Sequence, residues 1–232
     1  MVAQPQLAEV AALVGDPARA NMLMALADGR ALTATELDFR ARIAPQTASG
    51  HLAKLVDGRL LAVARQGRHR YFRLASPLVS RMLESINAMA SLEGPPRRRP
   101  HSPAEAALRR ARFCYDHLAG RLGVALADAL VARGHVELGD DGGAVTPAGA
   151  EFLARFGLDL AAAPRRAFCR PCLDWSERRP HIAGAVGAGL AARCLALGWI
   201  QRQRDTRAVA ITAKGRAGLR ATFGIDGESE AP

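Results

Sequence analysis

Closely spaced signals for helix starts and helix ends limit residues 16–58 to short helices. Asp16 followed by Pro17 is typical of a helix N-terminus, because aspartate caps free amide groups and proline fits the first turn. Thr33, with Glu36 three residues later, has the pattern of a capping box and predicts another start. Apolar residues at helical spacing also precede Asp16 and predict one more helix there. This part of the chain is therefore expected to pack as several short helices.

The next helix is expected between Pro45 and Asp57, with Gly58 ending it. Strand-like residues then flank an Arg-rich turn, which predicts a β-hairpin. A last helix, Pro77 to Ala90, carries its apolar side chains on one stripe: Leu78, Met82, Ile86 and Met89. Short helices, a tight turn between the last two, a two-stranded wing and a closing helix make a winged helix-turn-helix.

Positive charge is concentrated around the predicted hairpin. Residues 44–73 contain six basic residues and one acid, a net charge of +5. The whole chain carries +10 at pH 7, so an anionic partner is expected. Basic side chains at a hairpin tip can contact phosphates or enter a narrow minor groove, which predicts double-stranded DNA as the partner. A solvated basic loop is the alternative.

These motifs resemble the arsenic-repressor (ArsR) family of winged-helix transcriptional regulators. The resemblance covers about residues 7–89, and the segments that carry it are Asp16-Pro17-x-Arg19, Thr33-x-x-Glu36-Leu37, Ser49-x-His51-Leu52-x-x-Leu55 and Arg65-x-Gly67-Arg68-x-x-Tyr71. It implies a homodimer joined through the first and last helices, with the fourth helix reading operator DNA.

The chain also departs from the family pattern. Arg59 stands where the family usually places glycine, and the third helix contains no cysteine. The last helix lacks the histidine and acidic spacing of another family metal site. We therefore expect no metal sensing in residues 1–90.

Short polar side chains near the start of the fourth helix are suited to reading bases, because that end enters the major groove. Helix capping is the alternative role for Thr47 and Ser49, and packing is favoured over base contact for His51. The predicted DNA-binding residues are Gln46, Thr47, Ser49, Lys54, Arg65, Arg68, His69 and Arg70.

A proline-rich and arginine-rich segment, residues 94–103, predicts a linker, because proline disfavours both helix interiors and strand pairing. It separates a DNA-binding and dimerisation domain, residues 1–93, from a C-terminal domain, residues 104–232. The fold class predicted for the whole chain is mainly α with small β-hairpins.

The C-terminal domain is predicted to be an internal duplication that carries an effector site. Residues 117–138 match residues 181–202 at eight of 22 positions, and two later anchors follow in the same order. Each unit, about residues 114–160 and 172–226, reads as a winged-helix-like helix-hairpin-helix capped by Thr146 or Thr212. Glycines in the leading helices would let the units pack around a pseudo-twofold axis.

Both units place a cysteine, then an aspartate two residues on, then a histidine. Cys114 and Cys172, expected at helix starts beside arginines, would have stabilised thiolates. Cys169 adds a C-x-x-C pattern, typical of a redox pair or half a zinc site. The predicted sensor thiols are Cys114, Cys169 and Cys172, and the candidate metal ligands are Cys114, His117, Cys169, Cys172 and His181.

Three roles stay open for this region. A sensor of oxidants or electrophiles is favoured, a metal site for zinc or another thiophilic metal comes next, and buried structural cysteines are third. Asp116 and Asp174 read equally well as helix caps or ligands. Cys194, among leucines in mid-helix, is expected to be core.

The function predicted from these patterns is a cytoplasmic, dimeric transcriptional regulator, most simply a repressor released by a signal in the C-terminal domain. No signal peptide or membrane span is expected. Catalytic motifs are missing from the sequence, so no enzyme activity is expected. One rival is a thiol oxidoreductase or metal-handling protein whose winged helix binds a protein, and another is a nucleoid-type binder without an effector.

Overall fold

The computed structural model describes residues 5–66, 69–92, 102–139, 142–158 and 168–226. The chain divides into two compact units, Met1–Leu83 and Glu84–Pro232. The predicted linker, residues 94–103, lies outside the described residues except for its last two, and Pro103 begins a helix.

The first unit is a winged helix-turn-helix. Its elements are α1 (Pro5–Val14), α2 (Pro17–Ala25), β1 (Leu32–Thr33), α3 (Ala34–Ala41), α4 (Pro45–Asp57), β2 (Leu61–Gln66), β3 (His69–Leu74) and the start of α5 (Pro77–Leu92). The strands form an antiparallel sheet in the order β1-β3-β2. The predicted fold class is confirmed, although β1 was not predicted from the sequence.

Local hydrogen bonds explain where these helices begin. The Asp16 side chain accepts from the Arg19 amide at 2.9 Å, and Thr33 and Glu36 complete the capping box. After α4, Gly58 keeps space for Leu13, because a Cβ at Gly58 would lie 2.3 Å from that side chain. Arg59 adopts φ 58°, so the residue that replaces the family glycine takes a left-handed conformation.

The second unit contains two successive segments with the same element order after α6 (Pro103–Arg110): hairpin, helix, hairpin, helix. The first comprises β4 (Arg112–Cys114), β5 (His117–Ala119), α7 (Gly120–Ala132), β6 (Val136–Leu138), β7 (Gly143–Val145) and α8 (Pro147–Phe156). The second comprises β8 (Arg170–Leu173), β9 (Pro180–Ala183), α9 (Gly184–Ala196), β10 (Ile200–Arg202), β11 (Val209–Ile211) and α10 (Ala213–Phe223).

The leading hairpins correct one expectation. Cys114 and Cys172 lie in strands and not at helix starts. The expected stabilisation of their thiolates by the dipole of their own helix therefore does not apply. The caps Thr146 and Thr212 lie where the sequence predicts them, and each hydroxyl accepts an amide hydrogen bond at the start of its helix. The duplication as an origin of the domain stays a prediction.

Close approach at two glycines packs the two segments against each other. A Cβ at Gly123 would lie 3.5 Å from the Cβ of His181, and a Cβ at Gly187 would lie 3.1 Å from the Cβ of His117. The helix of each segment therefore lies against the histidine strand of the other. One hydrophobic core, which includes Cys194, runs through both segments.

Candidate DNA interface and cysteine–histidine cluster

Helix α4 divides into a buried face and an exposed polar face. Ala48, Leu52 and Leu55 are buried. The exposed face carries four of the predicted DNA-binding residues: Gln46, Thr47, Ser49 and Lys54. Within the described part of the chain, no side chain caps the α4 N-terminus. Free backbone amides and short polar side chains therefore lie together at the end that would enter a groove.

The side chains whose roles were open in α4 have distinct contacts. Ser49 donates a hydrogen bond from its hydroxyl to the Pro45 carbonyl at 3.1 Å, within its own helix. His51 is half-buried, with Nδ1 3.1 Å from Nη1 of Arg19. Arg19 also donates to the carbonyls of Leu13 and Ala12 at the end of α1. These contacts favour the packing role for His51.

The wing presents its basic side chains to solvent. Arg65 pairs with Arg70 across β2 and β3, and Gln66 pairs with His69 at the end of the ladder. Arg65, His69 and Arg70 are exposed, whereas Arg68 lies outside the described residues. Two arginines directly opposite each other repel, so this end of the hairpin favours an anion between them.

The second unit brings four of the five candidate ligands together. Cys114 lies directly opposite His117 in the β4–β5 hairpin, and Cys172 lies directly opposite His181 in β8–β9. One ligand atom from each of the four residues lies within 4.8 Å of the other three. The two Sγ atoms are 3.9 Å apart, and the two Nε2 atoms are 3.2 Å apart. We call these residues the Cys₂His₂ cluster.

The cluster is enclosed by protein. Its four side chains are all more than nine-tenths buried, and His181 is fully buried. Ala119 and Ala183 pack against the two cysteines. The cluster is therefore a shielded site between two hairpins.

A carboxylate faces the outer nitrogen of each histidine. Asp116 Oδ1 lies 3.2 Å from Nδ1 of His117, and Asp174 Oδ2 lies 3.4 Å from Nδ1 of His181. Asp174 is fully buried and also accepts from Nη2 of Arg112, from the Gly120 amide and from the two amides of the Ser176–Glu177 turn. It therefore caps the first amide of α7 and lies outside the group of four clustered ligand atoms. Its hydrogen bonds hold it in place behind His181.

Charges within the cluster follow from these contacts. Hydrogen bonds from Cys114 and the histidines, opposed by burial, hold the pKa of Cys172 far below its usual range. The bond to Cys172, together with burial and the nearby Glu84 charge, raises the pKa of Cys114. Burial opposes protonation of His181, but its bonds to Asp174 and Cys172 raise its pKa to about 9. Negative charge on Cys172 and positive charge on His181 therefore favour each other.

Cys169, the fifth candidate ligand, lies outside the cluster. It belongs to the large hydrophobic core, near Gly143, while Cys172 belongs to the cluster. Burial raises the pKa of Cys169 to about 11 and that of Cys194 to about 12. The structure therefore does not support Cys169 as a ligand or as the partner of Cys172 in a redox pair.

A buried ion pair that the sequence did not indicate connects α5 with β4, the strand that carries Cys114. Arg207 Nη1 donates to Glu84 Oε1 at 2.9 Å and to the Phe113 carbonyl at 3.4 Å. The Phe113 amide donates to the Arg207 carbonyl in return. Glu84 and Arg207 are both buried and are separated by 123 residues in sequence, a distance that no local pattern reports.

None of the helices in the described part of the chain has the length and apolar character needed to span a bilayer.

The helix-turn-helix, the polar face of α4 and the basic wing together define a winged-helix DNA-binding protein. The model of a helix-turn-helix domain family matches residues 14–64. The uncharacterized HTH-type transcriptional regulator YdfF of Bacillus subtilis (strain 168) is 42% identical over 214 residues, 91% of this chain and 94% of that protein. The chain belongs to this family of helix-turn-helix transcriptional regulators, and its winged helix is of the ArsR type.

Solved structures match smaller shares of the chain. The homodimeric winged-helix domain of Mb0332 from Mycobacterium bovis, a possible ArsR-family regulator, is 27% identical and covers 37% of this chain and 79% of its own, with a TM-score of 0.35. The antimony-specific repressor AntR is 30% identical over 40% of this chain and 86% of its own, with a TM-score of 0.34. The family membership confirms the prediction of a regulator and not an enzyme.

Proposed function

We propose that the protein is a homodimeric repressor that binds its operator through α4 and the wing and is released by a signal received at the Cys₂His₂ cluster. The observation that carries the proposal is a buried, four-residue cluster of nitrogen and sulfur atoms in a chain whose other unit presents a DNA-reading helix. A regulator needs such a site to be chemically responsive but does not need it to turn over a substrate.

Exposed apolar side chains on α1 and α5 support the homodimer. Leu7 on α1 is 82% exposed. On α5 the predicted apolar stripe points to solvent, since Leu78, Ile86 and Met89 are exposed while Val79 and Leu83 fill the core. Large apolar side chains repeated along one helix face are typical of a protein interface. These two helices are also the pair through which ArsR-type proteins are expected to dimerise.

Replacing Met89 with glutamate is expected to shift the protein from dimer to monomer. Met89 is 69% exposed, so a charge there costs little in an isolated chain but must be desolvated at an interface. Light scattering after gel filtration at several concentrations measures the change. Val131→Glu, which places the same charge at an exposed apolar position on α7, is the control that should leave the mass unchanged. A monomeric parent, or a dimeric Met89→Glu variant, would contradict this interface.

Two further variants separate backbone binding from base reading. Arg70→Ala is expected to weaken binding to all DNA and to reduce the slope of log affinity against log salt by about 1, because one phosphate contact is lost. Gln46→Ala is expected to reduce discrimination between operator and random DNA by about 1–3 kcal/mol while sparing non-specific binding. Titrations on both DNAs at several salt concentrations measure these effects.

Arg155→Ala is the matched control, because Arg155 is an exposed arginine paired with Glu151 on α8. An unchanged salt slope in Arg70→Ala would exclude the wing from the interface. Equal losses on operator and random DNA in Gln46→Ala would exclude base reading by that side chain.

Electrophoretic shift on the DNA upstream of the protein's own gene tests the proposal as a whole. The full-length protein is compared in reduced form, after oxidation, and after addition or chelation of zinc. Specific binding that changes with one of these treatments supports the proposal. No specific binding would favour a nucleoid-type or protein-binding role.

Oxidation is a second candidate signal because the two cluster sulfurs are 3.9 Å apart. Their approach would allow a disulfide between Cys114 and Cys172 after a small movement, since bonded sulfurs lie about 2.05 Å apart. The thiolate at Cys172 would be the reactive group. Its burial together with Cys114, however, restricts access by oxidants.

A further inference from the structure

We infer that Cys114, His117, Cys172 and His181 form a closed, four-coordinate site for a divalent cation of the zinc class, with Asp116 and Asp174 orienting the two histidines. The inference names the chemistry of the cluster, and its regulatory consequence rests on the proposed function. The site itself can be tested without DNA.

The spacing of like atoms fits tetrahedral coordination. With zinc–sulfur bonds of about 2.3 Å and zinc–nitrogen bonds of about 2.05 Å, tetrahedral angles place the sulfurs about 3.8 Å apart and the nitrogens about 3.3 Å apart. The observed separations are 3.9 Å for Cys114 and Cys172 and 3.2 Å for His117 and His181. A cation at the centre would therefore require little rearrangement of the backbone.

The histidine protons give an independent argument. A ring that donates its Nδ1 proton to a carboxylate presents a lone pair at Nε2. His117 places Nδ1 within hydrogen-bond distance of Asp116, whereas His181 places Nδ1 3.4 Å from Asp174 without hydrogen-bond geometry, and the two Nε2 atoms face each other at 3.2 Å. A proton or a metal ion between the two Nε2 atoms would hold them at this short distance. A proton would bridge only the histidine pair, whereas a divalent cation also pairs with both thiolates.

The aspartates have the role that carboxylates usually take behind metal-bound histidines, since they fix the tautomer and the ring orientation. Asp174 is well suited to it because Arg112 and three backbone amides hold the carboxylate rigidly. The arrangement recurs at Asp116, although that side chain is partly exposed. Each histidine strand therefore carries its own orienting carboxylate.

The donor set selects the class of metal. Two thiolates and two imidazoles in a buried tetrahedron suit zinc and exclude magnesium or calcium, which require oxygen ligands. Four protein ligands leave no open position for a substrate, so the site is not catalytic.

The test measures zinc bound per chain in the reduced, full-length protein after gel filtration, together with the absorption spectrum of the cobalt-substituted form. We expect one zinc per chain and the intense visible bands of tetrahedral cobalt with thiolate ligands. Cys172→Ser and His181→Gln are expected to lose the zinc and the thiolate bands. Cys169→Ser and Cys194→Ala, which alter buried cysteines outside the cluster, are the matched controls and should retain both.

A milder variant keeps the test decisive if removal of a ligand unfolds the domain. Asp116→Asn changes a partly exposed side chain and is expected to weaken zinc affinity by about 10- to 100-fold, measured by competition with a chromophoric chelator. Equal zinc content in Cys172→Ser and in the Cys169→Ser control would overturn the inference. So would a Cys114–Cys172 disulfide that forms equally fast with and without zinc.

Shift assays on the same samples separate the two proposals. If the protein binds no zinc but still binds its operator in a signal-dependent way, the metal site is wrong and the proposed function stands. If it binds zinc through the four residues but chelation leaves operator binding unchanged, the metal site stands and the proposed signal is wrong.

Discussion

Replacing Arg112 with methionine is expected to lower the free energy of unfolding of the second unit by about 3–5 kcal/mol, because it leaves a buried charge without its partner. Arg112 and Asp174 are both fully buried, and both carboxylate oxygens accept from Arg112 Nη2 at 3.0 Å. Arg112 also lies over the Trp175 ring at 4.5 Å. Methionine keeps part of the packing but removes every hydrogen bond that the guanidinium donates.

Urea unfolding followed by circular dichroism measures this loss. Arg179→Met is the matched control, since Arg179 pairs with Asp128 at the surface, where the two side chains are 59% and 46% exposed. An exposed pair contributes less than about 1 kcal/mol. Equal effects of the two variants would mean that the buried Asp174 charge is compensated without Arg112, through the amides and His181 alone.

The Arg112 variant also links stability to the cluster. Asp174 accepts from Arg112 on one side and lies against His181 on the other, so a displaced carboxylate would leave His181 without its orienting partner. We therefore expect Arg112→Met to weaken zinc binding even under conditions where the second unit remains folded.

The sequence predicted the first unit well because its signals are local. The Asp16 cap, the Thr33 capping box and the Pro45 and Gly58 boundaries each act within one helical turn, and the structure has them where they were expected. Strand β1 was missed because its two residues gain their structure only by pairing with residues 71–72. The apolar stripe on α5 was visible in the sequence, but its direction toward solvent was not.

The sequence did not predict the leading hairpins of the second unit, because the turn of the first hairpin lacks the residues that usually mark a tight turn. Tyr115 adopts φ 61° between Cys114 and His117, a conformation that sequence patterns assign to glycine or asparagine. A tight turn with tyrosine at this position carries no turn signature, so the segment read as the start of a helix. All five candidate ligands were still predicted, because matching the two tracks placed His117 with His181 and both units share the order Cys, Asp, His, and the structure brings four of them together.

Long-range partners could not be predicted. Arg112 and Asp174 are 62 residues apart, and their pairing depends on how the two segments pack. The C-x-x-C pattern also gave no hint that Cys169 would be excluded. Cys169 lies in a bend just before β8 and belongs to the large core, whereas Cys172 lies within β8 and belongs to the cluster.

Gly149 and Gly215, at matching positions of the two segments, each lie against a backbone carbonyl of the preceding strand region. Replacing each glycine tests whether this contact packs both segments in the same way. A Cβ at Gly149 would lie 1.9 Å from the His135 carbonyl oxygen, and a Cβ at Gly215 would lie 1.9 Å from the Trp199 carbonyl oxygen. In each case the carbonyl already accepts the backbone amide of the Thr cap that precedes the glycine. The backbone therefore cannot move away without breaking the start of α8 or α10.

Gly149→Ala and Gly215→Ala are each expected to cost about 3 kcal/mol in the free energy of unfolding, at the upper end of the usual range for overpacking. Gly50→Ala is the control, since nothing lies within 4 Å of a Cβ at that position in α4 and alanine should stabilise the helix by about 0.5–1 kcal/mol. Opposite signs for the same chemical change would show that the contact, not the helix propensity, decides the outcome. A loss in only one of the two variants would mean that the segments share their element order but not the contact that packs helix against hairpin. The geometry of the Cys₂His₂ cluster would then depend on one segment more than on the other.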